Sequence, residues 1–143
     1  MIISSKGKYA MMLMLDLATY YQGDPVKVKD IAKREDISDK YLEQIIAILN
    51  KAGLVKSIRG AKGGYKLSKK PEDYNVGTIL RTVEGSLSVT DYDTDDNREN
   101  LNYQVCTMVY SKLDKTIDDF LDNLTLDQLQ DYRSSLAGDF YSI

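Results

Sequence analysis

The chain has 143 residues, 43% of them hydrophobic, which is enough for a single domain with a real core. It contains no histidine and one cysteine, Cys106, so the commonest metal ligand and general base are absent and no internal disulfide framework is possible. The formal net charge of −3 argues at first against a polyanionic partner.

The distribution of charge reverses that argument. Residues 1–70 hold 14 Lys+Arg against 7 Asp+Glu, whereas residues 71–143 hold 5 against 15. A cationic half suits a polyanion and an anionic half repels it, which helps to fix a binding orientation. No run of about 18 apolar residues offers a membrane span. The opening MIISSKGKYAMMLMLDLA resembles a signal peptide in having lysines before an apolar stretch, but Asp16 interrupts it and no small-residue cleavage site follows. A buried first helix is the better reading. The single cysteine fits a reducing cytoplasm.

In chain order, Ser4 or Ser5 caps a first helix running to about Tyr21, apolar almost all round from Ala10 to Leu15 and so central to the core. Lys6 and Lys8 oppose the dipole at its start, which reads either as phosphate contact or as solvated lysines. Gly23-Asp24-Pro25 is a turn. A short helix over Val28 to Arg34 turns Val28, Ile31 and Ala32 inward, and Glu35-Asp36-Ile37 connects it to the next.

The stretch SDKYLEQIIAILNKAGLVKSIRGAKGGY then carries the most information. Ser38 caps a helix, and Asp39 suits the positive end of its dipole. Leu42, Ile45, Ile46 and Leu49 form one buried stripe at helical spacing. The opposite face presents Lys40, Tyr41, Gln44, Ala47 and Lys51, with Glu43 beside them, and such a face can lie in a major groove. Two helices joined by about three residues predict a helix-turn-helix. Gly53 stops the second of them.

Leu54 to Arg59 and Tyr65 to Ser68 read as two strands around the tip Gly60-Ala61-Lys62-Gly63-Gly64. The tip carries Arg59 and Lys62 and no acid. Such a tip fits a close approach to phosphates and a narrow minor groove, although an ordinary solvated hairpin has the same appearance. Helix and hairpin together predict a winged helix.

Lys69 to Asp73 marks the break in composition between residues 1–70, the winged helix-turn-helix region, and residues 71–143, which form one compact unit with it. Val76 to Glu84 predicts a short helix, on which Arg81 is open to a phosphate or to a surface ion pair. Ser88 to Asn100 is acidic. Asp91, Asp93 and Asp95 alternate as in a calcium loop, but the central glycine is missing, so a plain acidic loop is the better reading. Leu101 to Leu124 is the longest helical pattern, with Leu101, Val105, Met108, Val109, Leu113, Ile117, Phe120 and Leu121 on its apolar face. That face outreaches the core of so small a domain, and a second copy of the chain is its natural cover, predicting a two-fold homodimer. Thr125 caps a last helix over Leu126 to Leu136. The expected fold is therefore mainly α with a small β-hairpin wing: a winged helix-turn-helix domain plus a long dimerisation helix.

The chain resembles the winged-helix regulators of the Rrf-two type, typified by the bacterial repressors IscR, NsrR and CymR. SSKGKYA, IAKREDISDKYLEQI, LVKSIRGAKGGYKLS and LTLDQL carry the resemblance, which covers roughly residues 1–136. It implies a dimeric bacterial transcription factor, usually a repressor, that binds double-stranded DNA at a palindromic operator. It also implies Lys6, Tyr9, Ser38, Lys40, Tyr41, Gln44, Arg59, Gly60 and Lys62 as DNA contacts, with Glu43 adding selectivity by accepting from cytosine.

The chain departs from the iron–sulfur members, which carry three cysteines in the loop leading into the long helix; this chain offers only Cys106, matching the last of the three, so no cofactor and no metal is expected. This places it nearer the clusterless CymR-like branch, which the closing FYSI also resembles. That branch implies regulation of cysteine and sulfur genes and a partner enzyme of cysteine synthesis. Two readings of Cys106 stand open, a small buried packing residue and a redox sensor. The tyrosines read mostly as residues of a dimer seam or a half-exposed surface. Two alternatives to a DNA-binding regulator remain: a module whose acidic half docks a metabolic enzyme, and a regulator sensing redox state or iron–sulfur supply through Cys106. An enzyme is excluded by the lack of a nucleophile–base pair or phosphate loop.

Overall fold

The computed structural model describes residues 1–91 and 99–141. Asp93, Asp95 and Asp96 of the acidic loop lie outside the described residues, as do Ser142, Ile143 and the side chains of Phe140 and Tyr141 in the closing FYSI. The elements are α1 (Ser5–Thr19), α2 (Val28–Glu35), α3 (Asp39–Lys51), β1 (Val55–Ile58), β2 (Gly64–Leu67), a 3-10 turn (Pro71–Asp73), α4 (Val76–Glu84), α5 (Leu101–Asp122) and α6 (Leu126–Tyr141).

Helix α1 is the centre of the core. Ala10, Leu13, Met14 and Leu17 are buried together with Ile31 of α2, Leu42, Ile45 and Leu49 of α3, Leu67 of β2, Ile79 of α4 and Leu126 of α6. Burying each of the larger side chains contributes about 1.5–3 kcal/mol. At its start, Ser4 caps α1 by accepting from the Gly7 N–H, while its own N–H and hydroxyl donate to Glu84 Oε1 at 3.1 and 2.5 Å. The first turn of α1 is thereby fastened to the end of α4.

The start and stop signals operate as the sequence implies. Ser38 Oγ accepts from the Tyr41 N–H at 3.2 Å, and Asn75 and Asn100 cap α4 and α5 in the same way. Gly53, at φ 76°, ends α3; its N–H donates to Asn50 O, and the Leu54 N–H donates to Leu49 O. Those two bonds are the Schellman pattern that a left-handed residue makes possible.

Strands β1 and β2 pair antiparallel with Val55 opposite Leu67, Lys56 opposite Lys66, Ser57 opposite Tyr65 and Ile58 opposite Gly64. The hairpin has a support that no local pattern announces. Val26 bridges to Tyr65, donating and accepting at 2.9 and 2.8 Å, so the segment before α2 lies along β2 like a third strand. A Cβ on Gly64 would stand 2.5 Å from the Val26 carbonyl oxygen, so only glycine allows this approach.

Several boundaries differ from expectation. Helix α1 stops at Thr19 and α5 at Asp122, one turn or less before the expected ends. Helix α6 continues past Leu136 to Tyr141, through Gly138; one glycine in an exposed helix costs only about 1 kcal/mol and does not oblige it to end. Tyr74 departs from the expected surface role of the tyrosines. It is buried, its hydroxyl donates to Leu54 O at 2.6 Å, and it accepts from the Ser68 and Lys69 N–H groups at 2.9 and 3.1 Å. Burial pushes its phenol above the ordinary range against the opposite pull of those two donors.

The long helix α5 is fastened to the body along its C-terminal half. Arg81 of α4 pairs with Asp118 and Asp122 at 2.8 and 2.6 Å, Asp114 accepts from Ser88 Oγ and the Val89 N–H, and Leu121 packs on Val76, Leu80 and Leu87. Of the two roles open to Arg81, the structure shows the ion pair; the phosphate reading is corrected, because the guanidinium is occupied by α5.

Tyr74→Phe takes the partner from the Lys69 N–H and leaves the Ser68 N–H and the Leu54 carbonyl with only their own longer bond at 3.3 Å. We expect a loss of about 1–3 kcal/mol in unfolding free energy, read from urea denaturation.

Candidate nucleic-acid interface

The candidate interface comprises α1, α3 and the wing, all on the cationic half of the chain. Along α3, Lys40, Glu43, Gln44, Ala47 and Lys51 are exposed, while Leu42, Ile45, Ile46 and Leu49 are buried against α1 and its neighbours. Burial of one stripe fixes the rotation of the helix, and that rotation turns the donors and acceptors outward.

Tyr41 is half-buried rather than free. Its ring meets that of Tyr9 edge-to-face, with centroids 5.5 Å apart and planes at 86°. Such a pair is worth about 0.5–1.5 kcal/mol beyond its area. It brings the α1 candidate Tyr9 to the α3 candidate Tyr41, and Lys6 lies one turn before Tyr9 on α1. Ser38 serves α3 as its cap, and its hydroxyl keeps a hydrogen to donate.

The angle between α2 and α3 depends on Asp36, which adopts left-handed backbone at φ 54°, ψ 50°, and on Ile37, which is buried in the corner. Helix α2 is locked to α1 by a two-point ion pair: Arg34 Nε and Nη2 donate to the Asp16 carboxylate at 3.0 and 2.9 Å. Asp16 is 5% exposed, and the Arg34 guanidinium also covers the Tyr20 ring at 4.5 Å. Beside the pair, burial first, and then a hydrogen bond to Asp16, push the Glu35 carboxyl above its ordinary range. The carboxylate that sequence reading took only as an interruption of an apolar stretch is thus an anchor of the helix-turn-helix.

In the wing, Arg59, Gly60 and Lys62 are exposed at the tip. Lys27 Nζ donates to the Ala61 carbonyl at 2.9 Å, and Lys66 Nζ donates to the Gly23 carbonyl at 2.8 Å. Sequence reasoning named neither lysine, because their partners lie 34 and 43 residues away and are backbone groups without a residue signature.

The residues assigned to dimerisation divide into two sets. Leu101, Val105, Met108, Val109, Leu113 and Phe120 are 47–75% exposed, whereas Ile117 and Leu121 are half-buried, Leu121 against its own domain. The buried-packing reading of Cys106 is corrected: the thiol is exposed, because no residue of α5 is buried in the single chain. Among the described residues no three His, Cys, Asp or Glu side chains are grouped as metal ligands, and no helix is long and apolar enough to cross a membrane.

A capped helix-turn-helix followed at once by a two-stranded hairpin defines a winged helix-turn-helix protein. The family model for Rrf2, described as an iron-dependent transcriptional regulator, matches residues 3–132. The HTH-type transcriptional regulator IscR of Vibrio campbellii is 38% identical over 129 residues, which cover 90% of this chain and 77% of that protein. Among solved structures, CymR, the global cysteine regulator of B. subtilis, superposes with a TM-score of 0.81 at 35% identity, over 92% of this chain and 98% of that one. IscR of T. potens does so with a TM-score of 0.75 at 43% identity, over 94% and 90%. The chain belongs to the Rrf2 family of DNA-binding, winged-helix transcriptional regulators; it is a regulator and not an enzyme.

The iron in the family's description does not fit the donor set. One thiol and no imidazole per chain cannot supply the ligands that a cluster takes from cysteine or histidine.

The raised Glu35 carboxyl yields a pH prediction. Its folded pKa lies above its unfolded value, so folding takes up a proton, and stability falls as pH rises from about 4.3, the ordinary glutamate value, through the raised one. Glu35→Gln, whose amide can still donate to Asp16, should remove that fall, as read from urea midpoints across this pH range.

Proposed function

We propose that the chain is a homodimeric repressor that binds a palindromic operator through α3 and the wing, in the cytoplasm, and that its target genes belong to cysteine and sulfur metabolism. The observation that carries the DNA-binding part is the rotation of α3: one stripe is buried, and Lys40, Glu43 and Gln44 project outward beside a wing tip bearing Arg59 and Lys62.

Each side chain has a role that its chemistry allows. Gln44 reads an adenine edge through paired donor and acceptor, and Glu43 accepts from a cytosine amine or rejects the wrong edge. Lys6, Lys40 and the Ser38 hydroxyl hold phosphates, and Tyr9 and Tyr41 present their hydroxyls from one edge-to-face pair. Arg59 and Lys62 reach the narrow groove and its phosphates, where Gly60 allows the backbone to come close.

The dimer reading rests on α5. A helix of 22 residues is about 33 Å long, and the apolar side chains Leu101, Val105, Met108 and Val109 of its N-terminal half, with Leu113 just beyond, are exposed. A second copy buries the same stripe by two-fold symmetry, and symmetric reading heads call for half-sites about one helical turn apart or a multiple of it. The sulfur reading is supported by the likeness to a structure described as a global cysteine regulator. The acidic surface of residues 71–143 is the side we assign to a partner enzyme of cysteine synthesis. Exposure of Cys106 favours one alternative, a redox response through that thiol.

Selection from a pool of random duplexes tests the main reading. A palindrome should emerge, with affinity falling steeply with salt. Gln44→Ala should relax discrimination at one position, at a cost of about 1–3 kcal/mol, while Lys62→Ala should weaken all sequences alike and lower the salt slope by about one. A pool that yields no preferred sequence would sink the operator reading. For the dimer, Met108→Glu places a carboxylate in the apolar seam, and sedimentation at micromolar concentration should then report a monomer where the unaltered chain reports a dimer.

A further inference from the structure

We infer that Lys27 is a positioning residue for DNA binding: it holds the wing tip in place from the side and does not itself touch phosphate. The inference rests on the wing being a DNA-binding element. Lys27 stands just before α2, and its ammonium donates to the carbonyl of Ala61, between Gly60 and Lys62. The tip has little to order it from within. Residues 60–64 include three glycines, and the Gly63 N–H to Gly60 carbonyl bond spans only the tip itself.

External order comes from the arm over residues 23–27. Val26 makes two backbone bonds to Tyr65, the Gly23 carbonyl receives Lys66, and Lys27 alone of these contacts reaches the tip. The arm leads directly into α2, which Arg34 and Asp16 fasten to α1. The tip is therefore referenced to the same helix that orients α3. Ordering it before DNA arrives removes part of the entropy cost that binding would otherwise incur.

The rival role, direct phosphate contact, has a different signature. A phosphate lysine releases counterions and contributes to the salt slope, whereas a lysine spent on a carbonyl does not. Unaltered protein, Lys27→Ala, Lys27→Arg and Lys62→Ala are titrated with the selected duplex at several salt concentrations, and amide hydrogen exchange is followed over residues 60–64 in the free protein. We expect Lys27→Ala to bind roughly three- to tenfold more weakly with its salt slope unchanged, and its tip amides to exchange faster. Lys27→Arg, which still donates, restores both. The side chain is exposed, so the thermal midpoint should not move. A slope lowered by about one in Lys27→Ala, an unchanged affinity, or unchanged exchange at the tip each overturns the inference. If Lys62→Ala weakens binding and Lys27→Ala does not, only the role of Lys27 fails; if the unaltered protein ignores the duplex, the wing reading fails with it.

Discussion

Everything in this structure depends on the burial of α1. A helix apolar almost all round must be surrounded, and α2, α3, β2, α4 and α6 all contribute side chains to cover it. Asp16, the one buried carboxylate among the described residues, requires a partner of opposite charge, and Arg34 supplies it in two-point geometry. An apolar demand thus fixes which elements meet, and a polar demand fixes the angle at which α2 arrives. Helix α3 and the wing inherit their orientation from these two constraints.

Helix α4 connects the two functional ends of the chain. Glu84 at its C-terminus holds the first turn of α1, and Arg81, one turn earlier, holds the C-terminal half of α5. Nine residues therefore join the helix that carries Lys6 and Tyr9 to the helix that carries the exposed apolar stripe. The charge division has a structural counterpart: Asp118 and Asp122 of α5 are spent on Arg81, while the lysines at the wing tip and on α3 remain exposed.

How much of this could be read from the sequence depends on the range of each interaction. The stripe of α3, the Ser38 cap and the Gly53 stop are set within a turn or two of helix, so spacing alone discloses them. The wing is nearly as local, since its two strands are neighbours in the chain. Val26, Lys27, Tyr74 and Asp16 are different. Each meets a partner between 5 and 39 residues away, mostly a backbone group, and no periodicity marks such a meeting. Cys106 misled for a related reason: its residue type is buried on average, but it stands on a helix of which no residue is buried in the single chain. The extension of α6 through Gly138 shows that one glycine costs an exposed helix too little to end it.

The facing lysines of the hairpin have one further consequence. Lys56 stands opposite Lys66, and Lys66 is drawn away toward Gly23 on the side where Val26 closes the sheet. The other margin, along β1, has no strand beside it among the described residues, and hydrogen-bonding groups left open in that way invite an extended chain to join them. An intruder would have to settle next to the Lys56 ammonium, and an identical hairpin would bring the same charge with it. Like charge at this rim disfavours edge-to-edge pairing of two wings, at the cost of a slightly weaker sheet.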